Sequence, residues 1–320
     1  MKFDPALLRT IANTTGFPPD NLEKLLRLRE LLTELHKHPF LRNRLVLKGG
    51  TAINLFYLDL ARLSVDIDLN YIAQVDREKM LAERPDVVRA VEQIAAGLGY
   101  RLQNGVDDHA LREWHLGYAT HTGAQDRIQV EINFLMRVCA LPPRELPAAH
   151  LGDSRPCEFL VLATEELFAG KLKAMIDRQH PRDLYDLFRF TKSSLPHDSE
   201  TLRRLAVLFR STMDRDFRTY TFDRVLKVDA KQIDNLLYPL LKADDRPTAA
   251  EMLAATKPLI ESVLDHARDA AYLAAMGEGK YQPELLFPKQ LEIVERIRRH
   301  PALLWKAENV ARYLMKSKGP

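Results

Sequence analysis

Cysteine is scarce in this sequence: Cys139 and Cys157 are the only two among 320 residues, and their spacing matches no zinc-binding motif. No run of 18 apolar residues occurs, and the first ten residues lack the apolar core of a secretion signal. Internal repeats and low-complexity segments are absent as well. These absences argue against an exported disulfide-rich protein and a membrane-spanning one, so we expect a reduced protein in the cytoplasm.

The chain also lacks a strong charge bias, because 47 Lys and Arg residues nearly balance 44 Asp and Glu residues. The net charge of +3 and the pI near 8.7 are compatible with a nucleic-acid partner but give no evidence for one. Hydrophobic residues make up 46% of the sequence, which is enough for a substantial core. Evidence about function must therefore come from local motifs.

The order of predicted elements divides the chain into two parts. Strand-like alternation occurs up to about residue 140, where several prolines mark a passage rich in loops. Beyond it, the apolar spacing predicts helices over approximately 164–178, 181–192, 198–213, 222–242, 248–276 and 283–314. We therefore predict an α+β fold, with a mixed sheet and flanking helices in a domain of residues 1–155 and a helical domain of residues 156–320.

Two helices are predicted in the first domain. Asp20 or Asn21 can cap a leucine-rich helix that ends near residue 38. A second helix is predicted over Asp76 to Leu98, with an interruption or kink at Pro85.

A strand, a glycine turn and a helix start follow one another from residue 45. The apolar run L-V-L-K over 45–48 leads directly into Gly49, Gly50 and Thr51, and a helical apolar pattern follows over 53–57. A glycine pair lets the backbone approach an anion, and a new helix supplies unpaired N–H groups. The turn is therefore a candidate phosphate-binding element. The alternative is an ordinary tight turn, which would have the same sequence pattern.

Asp66 and Asp68 alternate with Ile67 and Leu69, which is the period of a β-strand. Both carboxylates then lie on one face, about 6.6 Å apart along the chain. Two acids held together in this way repel each other unless a cation lies between them. The pair is a candidate metal site, and the alternative is an exposed edge of the sheet.

A third carboxylate is predicted on a later strand. The segment R-I-Q-V-E-I-N-F-L over 127–135 alternates between apolar and polar residues and places Glu131 on the polar face. Taken alone, Glu131 could be an ordinary solvated glutamate. Beside Asp66 and Asp68 it becomes a candidate third metal ligand.

A lysine lies within the buried stripe of the helix predicted over 164–178. The helical projection places Lys171 between Leu167 and Met175, both of which belong to the apolar face. A lysine in that position extends to solvent, pairs with an acid or binds an anion. The sequence leaves these three alternatives open.

Two motifs together resemble one protein family. K-G-G-T-A over 48–52 with R-L-S-V-D-I-D-L over 62–69, and T-E-E-L-F-A-G-K with the later R-D-L-Y-D over 164–186, are similar to the AbiEii/AbiGii toxin nucleotidyltransferases, which include MenT-like toxins. These proteins belong to the superfamily of nucleotidyltransferases that resemble DNA polymerase β. The resemblance covers about residues 40–190, and the last 130 residues carry no motif that we can match.

The resemblance implies a site that uses two Mg²⁺ ions, with Mn²⁺ as an alternative. Asp66 and Asp68 would bind both ions, and Glu131 would bind the ion that activates the attacking hydroxyl. Residues of the glycine turn and the later helix would contact the nucleotide: Lys48, Gly49, Gly50, Thr51 and Lys171. Asp183 would position the nucleotide or Lys171, so that the residues implied to be catalytic are Asp66, Asp68, Lys171 and Asp183.

The resemblance also implies the partners. An NTP would be the substrate, the acceptor would be RNA, most directly the 3′ end of tRNA, and a cognate antitoxin would be encoded nearby in a toxin–antitoxin or abortive-infection system. Two alternatives remain. The same metal site could transfer a nucleotide to a protein hydroxyl, or the chain could be a catalytically silent nucleotide- or RNA-binding module. No membrane partner is expected.

Overall fold

The computed structural model of the chain describes residues 4–151, 156–213, 219–222 and 228–317. The chain forms two compact units. The first unit consists of Met1–Arg137, Pro143–Leu162 and Ile233–Pro247. The second unit consists of Val138–Pro142, Ala163–Gln232 and Thr248–Pro320. The predicted domain boundary at residue 155 lies outside the described residues and stays a prediction.

The first unit begins with two helices, α1 (Pro5–Thr15) and α2 (Pro19–Lys37). Asp4 caps α1 by accepting a hydrogen bond from the Ala6 amide at 2.9 Å. The predicted cap of α2 at Asp20 or Asn21 is wrong, because the helix begins at Pro19, whose fixed φ suits a first helical position. The predicted apolar stripe of α2 is confirmed, and its leucines are buried: Leu22, Leu25, Leu26, Leu28, Leu31, Leu32 and Leu35.

Seven strands in the described residues form one mixed sheet. They are β1 (Leu45–Lys48), β2 (Asp66–Tyr71), β3 (Arg101–Asp107), β4 (Leu111–Ala119), β5 (Gln125–Asn133), β6 (Arg144–Pro147) and β7 (Glu158–Val161). Their order across the sheet is β3-β4-β5-β2-β1-β7-β6. The pairs β2–β5 and β1–β7 are parallel, and the remaining neighbours are antiparallel. The predicted mixed sheet is confirmed.

The alternation predicted for β5 is confirmed by burial. Ile128, Val130 and Ile132 are fully buried, whereas Gln129 and Glu131 on the other face are half-buried. The apolar face packs into the core of the first unit, because period-two alternation turns every second side chain to the same side of the sheet. The polar face of the same strands is left to form a site.

Two helical segments connect the central strands. A short helix, α3 (Gly49–Ala52), follows β1 directly and continues as a π-helix over Ile53–Tyr57. The helix α4 (Arg77–Gly97) is capped by Asp76 and runs through Pro85 without a break in the helix. The predicted interruption at Pro85 is therefore wrong, whereas the alternative of a kink stays a prediction.

The second unit is mainly helical, as predicted. The remaining α-helices of the described residues are α5 (Thr164–Arg178), α6 (Pro181–Thr191), α7 (Ser199–Arg210), α8 (Ala230–Leu236), α9 (Ala249–Leu264), α10 (Ala270–Gly277), α11 (Leu291–Ile297) and α12 (Pro301–Ser317). Of these, α8 ends in the segment 233–247 of the first unit. The long helices predicted over 248–276 and 283–314 are wrong, since each contains two separate α-helices, and a 3-10 helix over Pro283–Leu285 precedes the second pair. Pro301 explains the second division, because a proline disfavours helical geometry in the residue before it. Part of the helix predicted over 222–242 lies outside the described residues. None of the helices in the described part of the chain has the length and apolarity needed to cross a membrane.

Candidate active site

The glycine turn after β1 requires glycine at its first position. Gly49 has φ of +75°, a conformation that side chains with a Cβ rarely adopt. A Cβ built on Gly49 would lie only 2.1 Å from Oδ2 of Asp68. The backbone of the turn therefore approaches one of the predicted metal-binding carboxylates as closely as a glycine allows.

The turn is also fixed to the start of β2. Thr51 Oγ1 donates a hydrogen bond to the Asp66 carbonyl at 2.5 Å. Asn54 Nδ2 donates to the Gly50 carbonyl at 3.0 Å, and its Oδ1 accepts from the Arg62 amide at 3.1 Å. Because these bonds join the turn to the segment that carries both aspartates, the turn and the Asp-x-Asp strand hold one relative position.

The sheet register brings the three predicted metal ligands onto one face. Asp68 lies opposite Glu131 on the parallel strand β5, and Asp66 lies opposite Gln129. Directly paired residues on neighbouring strands point to the same side of the sheet. Asp66, Asp68 and Glu131, which we call the acidic face, thus occupy adjacent strands beside the glycine turn. Their role as metal ligands stays a prediction.

Lys48 contributes a cation to the acidic face. It lies opposite Asp68 on β1, and its Nζ is 3.3 Å from Oε1 of Glu131. The ion pair is about three-quarters buried, with exposed side-chain fractions of 26% and 22%. Sequence reasoning assigned Lys48 to the nucleotide and missed this contact, which only the strand register could have indicated.

Sequence reasoning also missed a polar group next to the acidic face on β4. Glu113 lies opposite Glu131, and its two carboxylate oxygens contact His115 Nε2 at 3.1 Å and Gln129 Nε2 at 3.0 Å. The available signal was the alternation over 113–116, in which Glu113 and His115 lie on one face and Trp114 and Leu116 on the other. These contacts orient side chains at the border of the acidic face.

A separate group of acids and a histidine lies at the edge of the sheet. Ligand atoms of His36, Glu145 and Glu158 are within 4.8 Å of one another. However, the Arg42 guanidinium contacts Glu145 at 2.9 Å, and this hydrogen bond holds the Glu145 pKa below its usual value. In the sheet order β6 is three strands from β2. This group therefore does not belong to the acidic face.

The second unit contains the other two predicted site residues, Lys171 and Asp183, and brings them together. Lys171 Nζ is 2.8 Å from Oδ1 of Asp183 and 3.0 Å from Oδ2 of Asp186, and its side chain is only 6% exposed. Of the three alternatives left open by the sequence, pairing with acids is the one observed. Asp186 was not predicted as a partner, although it follows Asp183 by one helical turn on α6 and so shares its face.

Asp183 has a second cationic partner. Arg178 donates from Nε and Nη2 to the Asp183 carboxylate at 2.7 and 3.0 Å. Burial opposes ionisation of Asp183, but the charges and hydrogen bonds of Lys171 and Arg178 outweigh it and hold the Asp183 pKa well below its usual range. The two cations therefore favour the ionised form of this buried carboxylate.

We expect Gly49→Ala to abolish nucleotide transfer and to destabilise the protein. The new Cβ would overlap Asp68 Oδ2, and alanine at a φ of +75° is strained by roughly 1–3 kcal/mol. Thermal melts and transfer rates measure the two effects. The matched control is Gly97→Ala in α4, where no atom lies within 4 Å of an added Cβ. That variant should keep full activity, and a Gly49→Ala protein that behaves like it would contradict the close approach.

Glu166 provides a test of pH dependence in the second unit. It is a buried carboxyl in the first turn of α5, and its Oε2 accepts a hydrogen bond from the Leu141 amide at 3.0 Å. Burial raises the pKa of Glu166 from 4.5 to about 7, against the opposing backbone hydrogen bonds. Its stabilising contribution is therefore complete below pH 4.5 and is lost as the pH rises to about 7.

We expect Glu166→Gln to remove this pH dependence. Between pH 5 and pH 8 the wild-type protein should lose roughly 3 kcal/mol of unfolding free energy relative to the variant, from a shift of about 2.5 pH units. Denaturant unfolding at a series of pH values measures the difference. If the unfolding free energies of the two proteins change with pH in the same way, Glu166 has the same pKa in the folded and unfolded states, and the prediction is wrong.

The mixed sheet carries a glycine turn, an Asp-x-Asp strand and an acid on the neighbouring strand together, as expected of the nucleotidyltransferases that the sequence resembles. A family model of the nucleotidyl transferase AbiEii toxins of type IV toxin–antitoxin systems matches residues 30–278. The chain therefore belongs to the AbiEii toxin nucleotidyltransferase family.

Solved structures agree with the fold. The chain is similar to MenT4, a nucleotidyltransferase toxin of Mycobacterium tuberculosis H37Rv, with 22% identity and a TM-score of 0.62 over 98% of this chain and 99% of that one. It is also similar to JHP933 from Helicobacter pylori, with 18% identity and a TM-score of 0.50 over 81% of this chain and 99% of that one. At these identities the likeness concerns the fold alone. No curated protein matches the chain.

Proposed function

We propose that the protein is a Mg²⁺-dependent toxin that transfers a nucleoside monophosphate from an NTP to RNA, with the 3′ end of tRNA as acceptor. Membership of the AbiEii family establishes the class of enzyme and implies an NTP substrate and an antitoxin partner. One observation carries the proposal furthest: Asp66, Asp68 and Glu131 share one face of adjacent strands beside a glycine turn. The reaction would take place in the cytoplasm, where its acceptor is found.

The residues of the acidic face suit a divalent cation such as Mg²⁺ or Mn²⁺. Both are hard cations that prefer carboxylate oxygens, and three carboxylates on one face repel one another without a counter-charge. Lys48 already supplies one positive charge next to Glu131. When bound to Asp66, Asp68 and Glu131, two such ions would lower the pKa of the attacking hydroxyl and stabilise the charge on the phosphates.

The glycine turn would hold the triphosphate. The lack of a Cβ at Gly49 and Gly50 lets the turn pack closely against Asp68 and Arg62, and Thr51 fixes the turn to β2 through its bond to the Asp66 carbonyl. The N–H groups at the start of α3 would then face the phosphates. Lys48, at the end of β1, would place its ammonium near the same phosphates. These residues bind and orient the nucleotide, so that its α-phosphate faces the acceptor hydroxyl held at the acidic face.

Lys171 would neutralise charge on the triphosphate and the leaving pyrophosphate, and Asp183 would position Lys171. The contacts in the second unit support the positioning role, because Asp183 and Asp186 fix the Lys171 ammonium from two sides. A preorganised cation of this kind stabilises developing charge better than a mobile one. The assignment rests on the family resemblance of residues 164–186 and is tested below.

The decisive experiment is incubation of the purified protein with total RNA, Mg²⁺ and each labelled NTP in turn. The proposal predicts a labelled band at the size of tRNA that disappears with EDTA. tRNA oxidised with periodate, which lacks an intact 3′ terminal ribose, should not be labelled. Label on a protein band would favour transfer to a protein hydroxyl, and no label with any NTP or acceptor would favour the silent binding module.

A further inference from the structure

A pocket of about 440 Å³ lies in the first unit, where α1 and the turn before α2 meet residues 238–246. Its lining includes Arg9, Asn13, Phe17, Tyr238 and Arg246 and none of the residues of the acidic face. We call it the Arg9–Arg246 pocket. Its volume is within the range of sites that hold a small ligand or one unit of a polymer.

The positive charges at this pocket have no acidic partner among the described residues. The Arg9 guanidinium bonds only to the Pro5 carbonyl of its own helix, at 3.2 Å, and Arg246 contacts only an aromatic ring. Lys242, whose Cγ is 3.9 Å from the position of a Cβ on the lining residue Gly16, is likewise without a carboxylate partner. Three uncompensated cations around one pocket predict an anionic ligand.

Two carboxylates are close in the sequence to Lys242 and Arg246. Asp244 and Asp245 belong to the same segment as Arg246, but neither lines the pocket. Within the described part of the chain, no ion pair involves Arg9, Lys242 or Arg246. The side chains that line the pocket therefore include two positively charged ones, Arg9 and Arg246, and no negatively charged one.

Aromatic rings lie beside these cations. The Arg246 guanidinium is 5.5 Å from the centre of the Tyr238 ring, and Lys242 Nζ is 5.4 Å from the centre of the Phe17 ring. Tyr238 Oη donates a hydrogen bond to the Pro247 carbonyl at 3.2 Å, which fixes the ring. Cations next to an oriented aromatic ring are the combination that binds single-stranded nucleic acid, where phosphates meet the charges and bases stack on the rings.

We propose that the Arg9–Arg246 pocket binds a nucleotide unit of the RNA acceptor, away from the end that is extended. The inference rests on the proposed function, in which the acceptor is RNA. Arginine forks suit phosphate oxygens, and the aromatic ring suits a base or ribose. An acidic peptide would use the cations but would leave the Tyr238 ring without a planar partner. A free nucleotide has the same chemistry as one unit of the strand, so the experiment must separate the two sources.

The test compares RNA binding and transfer kinetics for Arg9→Ala/Arg246→Ala. Both arginines are exposed, so the variant should keep the wild-type melting temperature. We expect its affinity for labelled tRNA, measured by fluorescence anisotropy, to fall about tenfold, while the KM for NTP stays unchanged. The slope of log K against log salt should decrease in magnitude by about 0.7 for each phosphate contact that is lost. Arg9→Lys/Arg246→Lys should recover much of the affinity, since it keeps both charges.

The matched control is Arg89→Ala, which removes an exposed arginine of α4 from the same unit. It should leave the tRNA affinity and the salt slope unchanged. Wild-type affinity and slope in the double alanine variant would overturn the inference. A raised KM for NTP with unchanged tRNA affinity would overturn it as well and would assign the pocket to a free nucleotide.

Failure of the proposed function gives a different result. If the wild-type protein labels no RNA, the acceptor assignment fails whatever the variants do. The binding measurements, which need no turnover, then decide the pocket separately: a tenfold loss of tRNA affinity in the double alanine variant supports it, and equal affinity rejects it.

Discussion

Replacement of Asp66 or Asp68 by asparagine is expected to abolish nucleotide transfer without unfolding the protein. Asparagine keeps the shape of the side chain but removes the charge that a divalent cation requires, and loss of this cation should cost about 10³-fold or more in rate. The folded state should not suffer, because both side chains are only half-buried and their mutual repulsion is relieved. Transfer of labelled nucleotide and thermal melts, measured on the same preparations, check the two parts.

The matched control for these variants is Asp86→Asn, which removes an exposed carboxylate of α4 in the same unit. It should transfer nucleotide at the wild-type rate. Near-normal activity in a correctly folded Asp66→Asn or Asp68→Asn protein would show that the acidic face does not hold the catalytic metal. In that case the two-ion mechanism proposed from the family resemblance would be wrong.

The strands could be predicted because burial imposes a period on the sequence. In β5 the fully buried Ile128, Val130 and Ile132 alternate with half-buried polar residues, and the alternation alone identified the strand and its polar face. The glycine turn was recognisable for a related reason, since only glycine tolerates both the φ of Gly49 and its contact with Asp68. Local constraints of this kind can be recognised in the sequence, because they restrict which residue types occur at given positions.

The pairing between distant segments cannot be recognised from such local patterns. The sequence placed Glu131 on a polar face, but only the parallel register of β2 and β5 makes it the neighbour of Asp68. The ion pair of Lys48 with Glu131 depends on the same register. The return of residues 233–247 to the first unit was missed entirely, because the helical period predicted for part of this segment does not indicate which distant core it packs against.

Lys171 shows how a correct local interpretation can leave the chemistry open. The helical projection predicted that its side chain enters an apolar face, and burial confirms this. Its partners come from the next helix, where Asp183 and Asp186 lie one turn apart. A motif comparison pointed to Asp183, whereas Asp186 needed the packing of α5 against α6. Because Lys171 contacts both acids, a substitution that removes its charge should lower the stability of the protein.

We expect Lys171→Met to destabilise the protein by roughly 3–5 kcal/mol. Methionine fills much of the same volume, but it leaves two almost fully buried carboxylates with one of their cations removed, and a buried charge without its partner is strongly unfavourable. Denaturant unfolding measures the loss. The control is Lys173→Met on the same helix, a half-buried lysine for which we expect a change within about 0.5 kcal/mol. Equal stability of the two variants would mean that water or a conformational change compensates the buried acids.

Stability and catalysis at Lys171 can be separated by neutralising an acid together with the lysine. In Lys171→Met/Asp186→Asn the buried charge balance is partly restored, so this protein should be more stable than Lys171→Met. Transfer is then measured at a temperature at which the double variant and the wild-type protein are both folded. If the ammonium acts on the triphosphate, the double variant should still transfer nucleotide about 10²–10³-fold more slowly, while Asp186→Asn alone should lose much less. A folded double variant with wild-type kcat and KM would restrict Lys171 to holding α5 against α6 and would remove it from the set of catalytic residues.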